Sequence, residues 1–370
     1  MPDFSNTALL AIEPEPYGKL MQKALAGTDM DITLAWDAYD LTELLNTKTY
    51  GIAVISETVL DGSWISIAHT VRNTPQTDAA KILLVMETGT GETINEADRS
   101  LVDALMPAPF SIGAFVETLS LFREASNEKQ WATLNPNQQK LLRVTKTLFG
   151  KHFSPEGSFE QLNKDVMQES GVAIAAATQS GEIWDVLETL KSHDSYTFVH
   201  ALKVSSFMTL FGVMLGLNES DLQLLSQAGL FHDVGKRETP LDVLNFPGKL
   251  DGTAWQVMQE HPGRSEKILA DSFDVPIEII NVAGRHHEKM DGTGYPRGLK
   301  GTQIDDLSAI GAIADVYSGL TDKRSYKPPF STEKTLEIMR SMSGGHLEAS
   351  FLDRFITMIR EHDSSGHQIS

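Results

Sequence analysis

The chain has 370 residues, of which 41% are hydrophobic and 22% charged, and this is enough for two globular domains with separate cores. It has no cysteine, so disulfides and thiolate metal ligands are excluded. Its 50 acidic and 31 basic residues give a formal charge of -19, which argues against sequence-independent binding of DNA or RNA. A small anionic substrate is still compatible with this charge if metals and a few basic side chains create a local positive site.

Two further features bear on location. Residues Met1 to Thr7 show no secretory signal. The longest uncharged apolar stretch, Val204 to Leu217, is too short to span a bilayer. We therefore predict a buried helix at that stretch, no membrane association and a cytoplasmic location.

Residues 1–125 alternate short apolar runs with segments of helical spacing. The predicted strands are Ala8–Ile12, Asp31–Ala35, Gly51–Ile55 and Lys81–Met86, the predicted helices are Tyr17–Leu25, Leu41–Leu45 and Trp64–Val71, and Ile94–Leu105 has mixed character. Such alternation with short connections predicts an α/β domain, in which helices cover both faces of a parallel sheet.

This first half resembles response-regulator receiver domains, which have a flavodoxin-like α/β fold. The resemblance rests on Asp61-Gly62 after the third strand and Pro109-Phe110 before the last helix. By this alignment, Ala108 replaces the lysine that precedes the proline in that family.

The phosphorylation site of the receiver family is also altered. Ser56 or Glu57 stands where the phosphorylated aspartate should follow the third strand, and Glu13 and Glu15 could replace the acidic pair after the first. The resemblance therefore implies a degenerate receiver-like domain, used for homodimerisation or for docking to a signalling partner.

The remainder of the chain is predicted to be helical. Residues 126–158 are a predicted helical linker, because the polar segment Ser126–Gln139 interrupts the helical pattern of Phe115–Phe149. Residues 159–370 form the predicted all-α domain, which ends in a polar tail at Asp363–Ser370. Its predicted helices are Ile183–Leu190, Phe198–Leu217, Asp221–Phe231, Thr253–Phe273, Glu278–His286, Ile304–Leu320 and Glu333–Met342.

Histidines and aspartates concentrate in this helical half. His232 and Asp233 are adjacent and, if they lie on a helix, point about 100° apart, whereas Lys236 falls on the same helical face as His232. Each of these residues alone could be a chance dipeptide or a surface group. Asp315, inside the apolar run Ile310–Val316, is harder to dismiss, because a buried carboxylate is costly unless a metal, cation or donor meets it.

Taken together, the motifs between about Glu182 and Ile359 resemble the HD-GYP subgroup of HD-domain phosphohydrolases. The motifs that carry the resemblance are Asp194–His200, Ala228–Lys236, Pro247–Leu250, His261-Pro262, His286–Leu299, Ala312–Tyr317 and Asp322–Lys327.

The resemblance implies a role for each matching position. The implied metal ligands are His200, His232, Asp233, His261, His286, His287 and Asp315, with Asp233 bridging two divalent metals and Asp233 and Lys236 acting in catalysis. Lys236, Arg324 and Lys327 are implied to contact phosphate, and Gly294, Tyr295 and Pro296 to form the lip of the pocket. We expect Fe or Mn, although imidazole and carboxylate ligands also suit Ni or Zn.

The implied substrate is cyclic di-GMP, hydrolysed to pGpG and, in some members, to GMP. Two metals would acidify a bridging water and polarise the phosphoryl oxygens. Tyr196 stands where some relatives hold a third metal with a glutamate, so we predict two metals, and Ser265 replaces a common glycine. The alternatives are a slow cyclic di-GMP sensor or docking protein, and a hydrolase of a mixed cyclic dinucleotide.

Overall fold

The computed structural model describes residues 7–12, 18–25, 30–35, 37–57, 63–87, 94–127, 131, 133–153, 164–190, 196–246, 248–272, 274–322 and 329–364. The chain divides into two compact units. Unit 1 comprises residues 1–129, 241–249 and 325–327, and unit 2 comprises residues 130–240, 250–324 and 328–370. The boundaries predicted at residues 125 and 158 remain predictions.

Unit 1 contains a parallel sheet with the strand order β2-β1-β3-β4-β5. This order is that of the flavodoxin-like doubly wound fold, so the predicted α/β class is confirmed. The strands are β1 Thr7–Ala11, β2 Asp31–Ala35, β3 Ile52–Ser56, β4 Lys81–Glu87 and β5 Ala104–Ala108, and the helices are α1 Lys19–Leu25, α2 Ala38–Thr47, α3 Trp64–Asn73, α4 Glu96–Arg99 and α5 Ile112–Asn127.

The two faces of the sheet bury alternate strand residues, as a period of two requires. Leu9, Ala53 and Leu84 pack in one core with side chains of α2 and α3. Leu10 and Val54 pack on the opposite face with side chains of α1 and α5. Helices therefore cover both faces, as predicted.

The fifth strand was not predicted: it begins at the end of the segment of mixed character, Ile94–Leu105, and continues to Ala108. β5 is at the edge of the sheet and contains Pro107, whose missing N–H is tolerated at an edge. Of the altered receiver positions, Ser56 ends β3 and the buried Ala108 ends β5. Glu13, Glu15 and Asp61-Gly62 lie outside the described residues.

The regular elements in the described part of unit 2 are all helices, as predicted. These helices are α6 Pro136–His152, α7 Lys164–Gln179, α8 Ile183–Thr189, α9 Tyr196–Met214, α10 Glu219–Phe231, α12 Gly252–Gln259, α13 His261–Ala270, α14 Ile277–Arg285, α15 Asp306–Thr321, α16 Thr332–Ser341 and α17 Ala349–Ser364, and the short helix α11, Leu241–Leu244, belongs to unit 1. One core, which includes Phe207, Phe231, Tyr317 and Phe355, joins the helices of unit 2 other than α12, which has no buried residue.

The predicted helices of unit 2 contain one error and one omission. Thr253–Phe273 is not one helix, because Pro262 occupies the first turn of a new helix and α13 begins at His261. The helix α17, which continues into the polar tail as far as Ser364, was not predicted. Its buried Leu352, Phe355 and Ile359 have the helical spacing that could have identified it.

The predicted buried helix is present as α9. The segment Thr197–Met214 is apolar and long enough to cross a bilayer by length and composition, with a mean hydropathy of 1.3. However, 83% of it is buried inside the protein, as in a core helix. Only its end departs from the prediction, since Leu217 is exposed and lies beyond the helix.

Candidate metal centre

The candidate ligands come from five helices of unit 2 and meet in its interior. α9 supplies His200, the end of α10 supplies His232 and Asp233, and α13 begins with His261. His286 and His287 follow α14, and Asp315 lies in α15. The side chains of His200, His232, Asp233, His261 and His286 are each at most 2% exposed.

His232 and Asp233 lie just beyond the end of a helix, in agreement with the predicted helix Asp221–Phe231. α10 ends at Phe231, His232 is its C-cap, and Asp233 precedes a 3₁₀ helix at Val234–Glu238. The change of helix type directs both side chains into the site. Lys236 therefore approaches Asp233, with its Nζ 2.5 Å from Asp233 Oδ2, through a spacing of three residues.

A close backbone approach brings His261 to this break. A Cβ atom on Gly235 would lie 2.3 Å from the carbonyl oxygen of His261 and 2.4 Å from the nitrogen of Ser265, so only glycine fits. The buried Ser265 hydroxyl accepts the N–H of Gly235 at 2.8 Å. Ser265, which replaces a common glycine, therefore joins α13 to the 3₁₀ helix.

Asp233 lies between two groups of histidines. Its Oδ1 is 3.1 Å from His261 Nε2 and 3.7 Å from His286 Nε2. Its Oδ2 is 3.2 Å from His232 Nε2 and 3.7 Å from His200 Nε2. One carboxylate thus presents an oxygen to each group, as a bridging ligand would.

Asp315 is the second carboxylate of the cluster. Its Oδ1 is 3.0 Å from His200 Nε2 and its Oδ2 is 3.6 Å from His287 Nδ1, and the side chain is 14% exposed. A carboxylate inside this apolar helix was predicted to need a metal, cation or donor beside it. The surroundings agree with that prediction, because an imidazole lies close to each oxygen of Asp315.

Three imidazoles are oriented by backbone carbonyl groups near helix ends. Nδ1 of His232, His261 and His286 lies 2.7, 2.7 and 3.0 Å from the carbonyl oxygen three residues earlier. A carbonyl only accepts, so each Nδ1 carries the hydrogen, and Nε2 is left as the atom that can bind a metal.

The electrostatics favour ionised aspartates. Burial opposes the ionisation of Asp233, but His232 and Lys236 hold the pKa of this carboxyl well below its usual range. Burial likewise opposes the ionisation of Asp315, whereas His200 and His287 hold its pKa well below the usual range.

The histidines divide into two electrostatic classes. Burial and the neighbouring imidazole of His287 lower the pKa of His286 well below its usual range, and burial lowers the pKa of His287 to about 3. Burial also disfavours the charged form of His200, but Asp315 and Asp322 raise its pKa to about 9. A neutral imidazole is the form that a metal requires.

The residues present fit divalent metal ions. His232 Nε2 and Asp233 Oδ1 are buried and have no hydrogen-bond partner among the described residues. Each such atom is costly to bury unless something binds it. Three overlapping triplets have donor atoms within 4.8 Å of one another: His261 with His286 and His287, His200 with His232 and Asp315, and His232 with Asp233 and His286.

The predicted lip lies directly beside this cluster. The Tyr295 ring is 4.8 Å from the His287 ring, and Tyr295 N–H donates to the His287 carbonyl at 3.2 Å. A Cβ on Gly294 would lie 2.4 Å from the Lys289 nitrogen, so a glycine is required where the loop folds back. Pro296 follows in the exposed part of the loop.

The sequence interpretation assigned no role to Glu288, which holds this loop. It is 3% exposed, and its two carboxylate oxygens accept the N–H groups of Arg297 at 2.7 Å and Leu299 at 2.9 Å. Its position in the sequence, directly after His286 and His287, was the signal that could have identified it. Arg324, Lys327 and the side chain of Tyr196 lie outside the described residues.

Comparison with known proteins supports the resemblance predicted for the helical part of the chain. Residues 185–351 match the HD domain family, and this region is an HD domain, which confirms the predicted resemblance. The chain is 34% identical over 173 residues to a cyclic di-GMP phosphodiesterase of Pseudomonas aeruginosa, covering 47% of this chain and 42% of the relative. It is 40% identical over 159 residues to 3'3'-cGAMP-specific phosphodiesterase 1 of Vibrio cholerae, covering 43% of this chain and 37% of the relative.

The matched region is thus less than half of the length of either relative. A structural similarity covers the first unit: the receiver domain of the Francisella response regulator 1452 matches 33% of this chain and 98% of that domain, with 19% identity and a TM-score of 0.29.

Proposed function

We propose that the protein is a metal-dependent phosphodiesterase that hydrolyses cyclic di-GMP to pGpG or, as in some members of the family, on to GMP. The observation that carries this proposal is the Asp233 carboxylate, which presents one oxygen to His261 and His286 and the other to His232 and His200. This arrangement suits two divalent metals that share a carboxylate, with Fe or Mn expected and Ni or Zn acceptable.

The proposed ligands are His200, His232, Asp233, His261, His286, His287 and Asp315. A bound metal pair would supply an acidified water and polarise a phosphoryl oxygen. The protein contributes fixed imidazoles with Nε2 directed inwards, and ionised carboxylates that neutralise the metal charge.

Lys236 is proposed to act on the phosphate. Its side chain is 14% exposed at the edge of the buried cluster, and its ammonium group contacts the bridging Asp233. When a phosphodiester enters, the ammonium group is close enough to stabilise charge on a phosphoryl or leaving oxygen.

The remaining proposed contacts belong to the dinucleotide. Gly294, Tyr295 and Pro296 would form the wall beside the metals, and Arg324 and Lys327 would hold phosphate, with the planar guanidinium of Arg324 suited to a bidentate grip. These cations would provide the local positive field that an anionic substrate needs in a protein with a charge of -19.

A second candidate substrate is 3'3'-cGAMP. It is favoured by the 40% identity to a relative that is named as specific for this dinucleotide. Both substrates present the same two phosphodiesters to the metals and differ in one base, so the same centre can serve either.

The receiver-like unit is proposed to mediate contacts with a second copy of the chain or with a signalling partner in the cytoplasm. Its strand order supports the fold, whereas Glu57 and Ala108 replace the residues that phosphorylation requires. Regulation by docking is therefore a better fit than regulation by phosphorylation.

The test is one reaction series. Protein is purified without chelator, its metal content is measured by elemental analysis, and either cyclic dinucleotide is added before the products are separated by chromatography. Two metals per chain with pGpG or GMP released would support the proposal. Bound metal and tight cyclic di-GMP binding without product, across Fe, Mn and Ni, would instead identify a sensor.

A further inference from the structure

We propose that Asp322 is a positioning residue of the metal centre, which fixes the imidazole of His200 so that its Nε2 is available to a metal. The inference rests on the proposed metal centre and adds to it a residue that is not itself a ligand. It assigns a purpose to a buried polar cluster that lies behind His200, on the side away from Asp233.

The cluster joins α9 to the end of α15. Asp322 is 4% exposed, its Oδ2 is 2.9 Å from His200 Nδ1, and its Oδ1 is 2.7 Å from Lys203 Nζ. The buried Ser318 hydroxyl lies 3.1 Å from both His200 Nδ1 and Asp322 Oδ2. All of these groups therefore share one small interior site.

His200 needs this partner because of its position. His232, His261 and His286 lie at helix ends and donate Nδ1–H to a backbone carbonyl three residues earlier. His200 lies within α9, where the preceding carbonyls accept the hydrogen bonds of the helix. The acceptor for its Nδ1 comes from another element, since Asp322 follows the end of α15.

The carboxylate determines which nitrogen of His200 carries the hydrogen. Lys203 Nζ, 2.7 Å from Asp322 Oδ1, favours the ionised carboxylate, which can only accept from His200 Nδ1. Nε2 lies 3.0 Å from Asp315 Oδ1 and is the nitrogen that would exchange its hydrogen for a metal. A carboxylate behind a ligating histidine also makes the imidazole a stronger ligand than a carbonyl does.

Lys203 balances the charge of Asp322 without contacting the ligands. This separates two explanations for the carboxylate: it could position His200, or it could merely neutralise a buried lysine. Asp322→Asn removes the charge at nearly constant shape, Lys203→Met removes the lysine, and the double variant removes both charges together.

The experiment titrates chelator-stripped full-length protein with Mn²⁺ or Co²⁺ alone. We expect Asp322→Asn to weaken metal affinity by about 10- to 100-fold and to alter the visible spectrum of bound Co²⁺. Lys203→Met should bind metal within about threefold of wild type, because the bond to His200 is intact. The double variant should remain as weak as Asp322→Asn, with a circular dichroism spectrum like that of wild type.

Recovery of wild-type affinity in the double variant would overturn the proposal, because Asp322 would then serve only to neutralise Lys203. Wild-type affinity and an unchanged Co²⁺ spectrum in Asp322→Asn would overturn it as well. If the single variant does not fold, the charge-balanced double variant decides between the two explanations. Since no dinucleotide is added, wild type that binds metal without hydrolysing cyclic di-GMP would contradict the proposed function and leave this inference intact.

Discussion

At the scale of single residues, Asp233 is the group on which both halves of the centre depend. Asp233→Ala removes the oxygens that face His261 and His232 and leaves those imidazoles without their shared carboxylate. We expect turnover of cyclic di-GMP to fall by at least about a hundredfold and metal content to drop, because loss of the proposed bridging ligand would affect both proposed metals.

Turnover, elemental analysis and circular dichroism check this prediction together. The helical content should be almost unchanged, since Asp233 lies beyond the end of α10 and the substitution leaves its backbone hydrogen bond from Lys236 in place. Asp271→Ala, which removes an exposed aspartate at the end of α13, is the matched control and should leave all three measurements as they are. Activity retained by Asp233→Ala would rule out the shared-carboxylate centre.

Tyr295 should affect the substrate more than the metals. Its ring lies between the His287 ring, at 4.8 Å, and the Trp255 ring, at 6.0 Å, and forms an aromatic wall beside the cluster. Tyr295→Ala should raise KM about tenfold, because stacking of a base on an aromatic ring contributes about 1–3 kcal/mol. Tyr295→Phe keeps the ring and should keep KM, and loss of metal from Tyr295→Ala would show that the ring supports the ligands instead.

At the scale of elements, helical spacing located most helices, but the site depends on where helices end. The helical spacing of Asp221–Phe231 predicted the first end, and α10 does stop at Phe231. A single helix was predicted across His261, where α13 starts, and the proline at position 262 was a visible signal for this break. The 3₁₀ helix that follows Asp233 depends on packing between distant segments, which periodicity does not record.

The ligand set itself was predicted from motif order and resemblance. The structure brings all seven of those residues into the described centre, while their roles stay proposals. Glu288 and Asp322 received no role, because their partners are backbone N–H groups in one case and side chains 119 and 122 residues away in the other. No pattern along the chain shows such pairs.

A substitution at Gly235 tests the close contact between α13 and the 3₁₀ helix that follows α10. Gly235→Ala would place a Cβ 2.3 Å from the His261 carbonyl and force the 3₁₀ helix away from α13. We expect a loss of about 1–3 kcal/mol in the free energy of unfolding, and lower metal content, because overpacked backbone contacts must separate.

Gly263→Ala is the control on the same helix, α13, at an exposed position. Nothing lies within 4 Å of a Cβ at that position, which is also in α13, so the same substitution should leave the metal content unchanged and raise stability slightly. Denaturant unfolding and elemental analysis of both variants provide the measurement. Equal effects of the two substitutions would contradict the close-approach explanation.

Glu288 tests the loop that carries the lip. Glu288→Gln can satisfy only one of the N–H groups of Arg297 and Leu299, since its amide nitrogen donates and cannot accept. A lost hydrogen bond to a charged group costs about 1.5–3 kcal/mol, so we expect KM to rise about tenfold or more with metal content retained. KM equal to that of wild type would show that the loop holds its shape without this carboxylate.

At the scale of the whole molecule, the two units have separate hydrophobic cores. The faces of the sheet are covered by residues up to Phe122, and the core of the helical unit begins at Trp131. The sequence predicted this division into an α/β half and an all-α half from two different periodicities. It could not show that residues 241–249 group with the first unit, because that depends on tertiary contacts.

Separate cores lead to a prediction about metal removal. The candidate centre lies entirely within the helical unit, where His232 Nε2 and Asp233 Oδ1 are buried without hydrogen-bond partners among the described residues. A ligand that binds only the folded state stabilises it by about 4.1 kcal/mol at a concentration of 1,000 times Kd. Chelator treatment should therefore lower the melting temperature of the helical unit and leave the transition of the sheet unit unchanged.

Scanning calorimetry before and after metal removal, followed by readdition of Mn²⁺, gives the measurement. Asp233→Ala provides the internal control, because adding Mn²⁺ to this variant should produce little shift in either transition. A metal-dependent shift of similar size in the variant would mean that the ions bind elsewhere, for example on the acidic surface implied by the charge of -19. A shift of the sheet transition by metal would show that the stability of the first unit also depends on the ions.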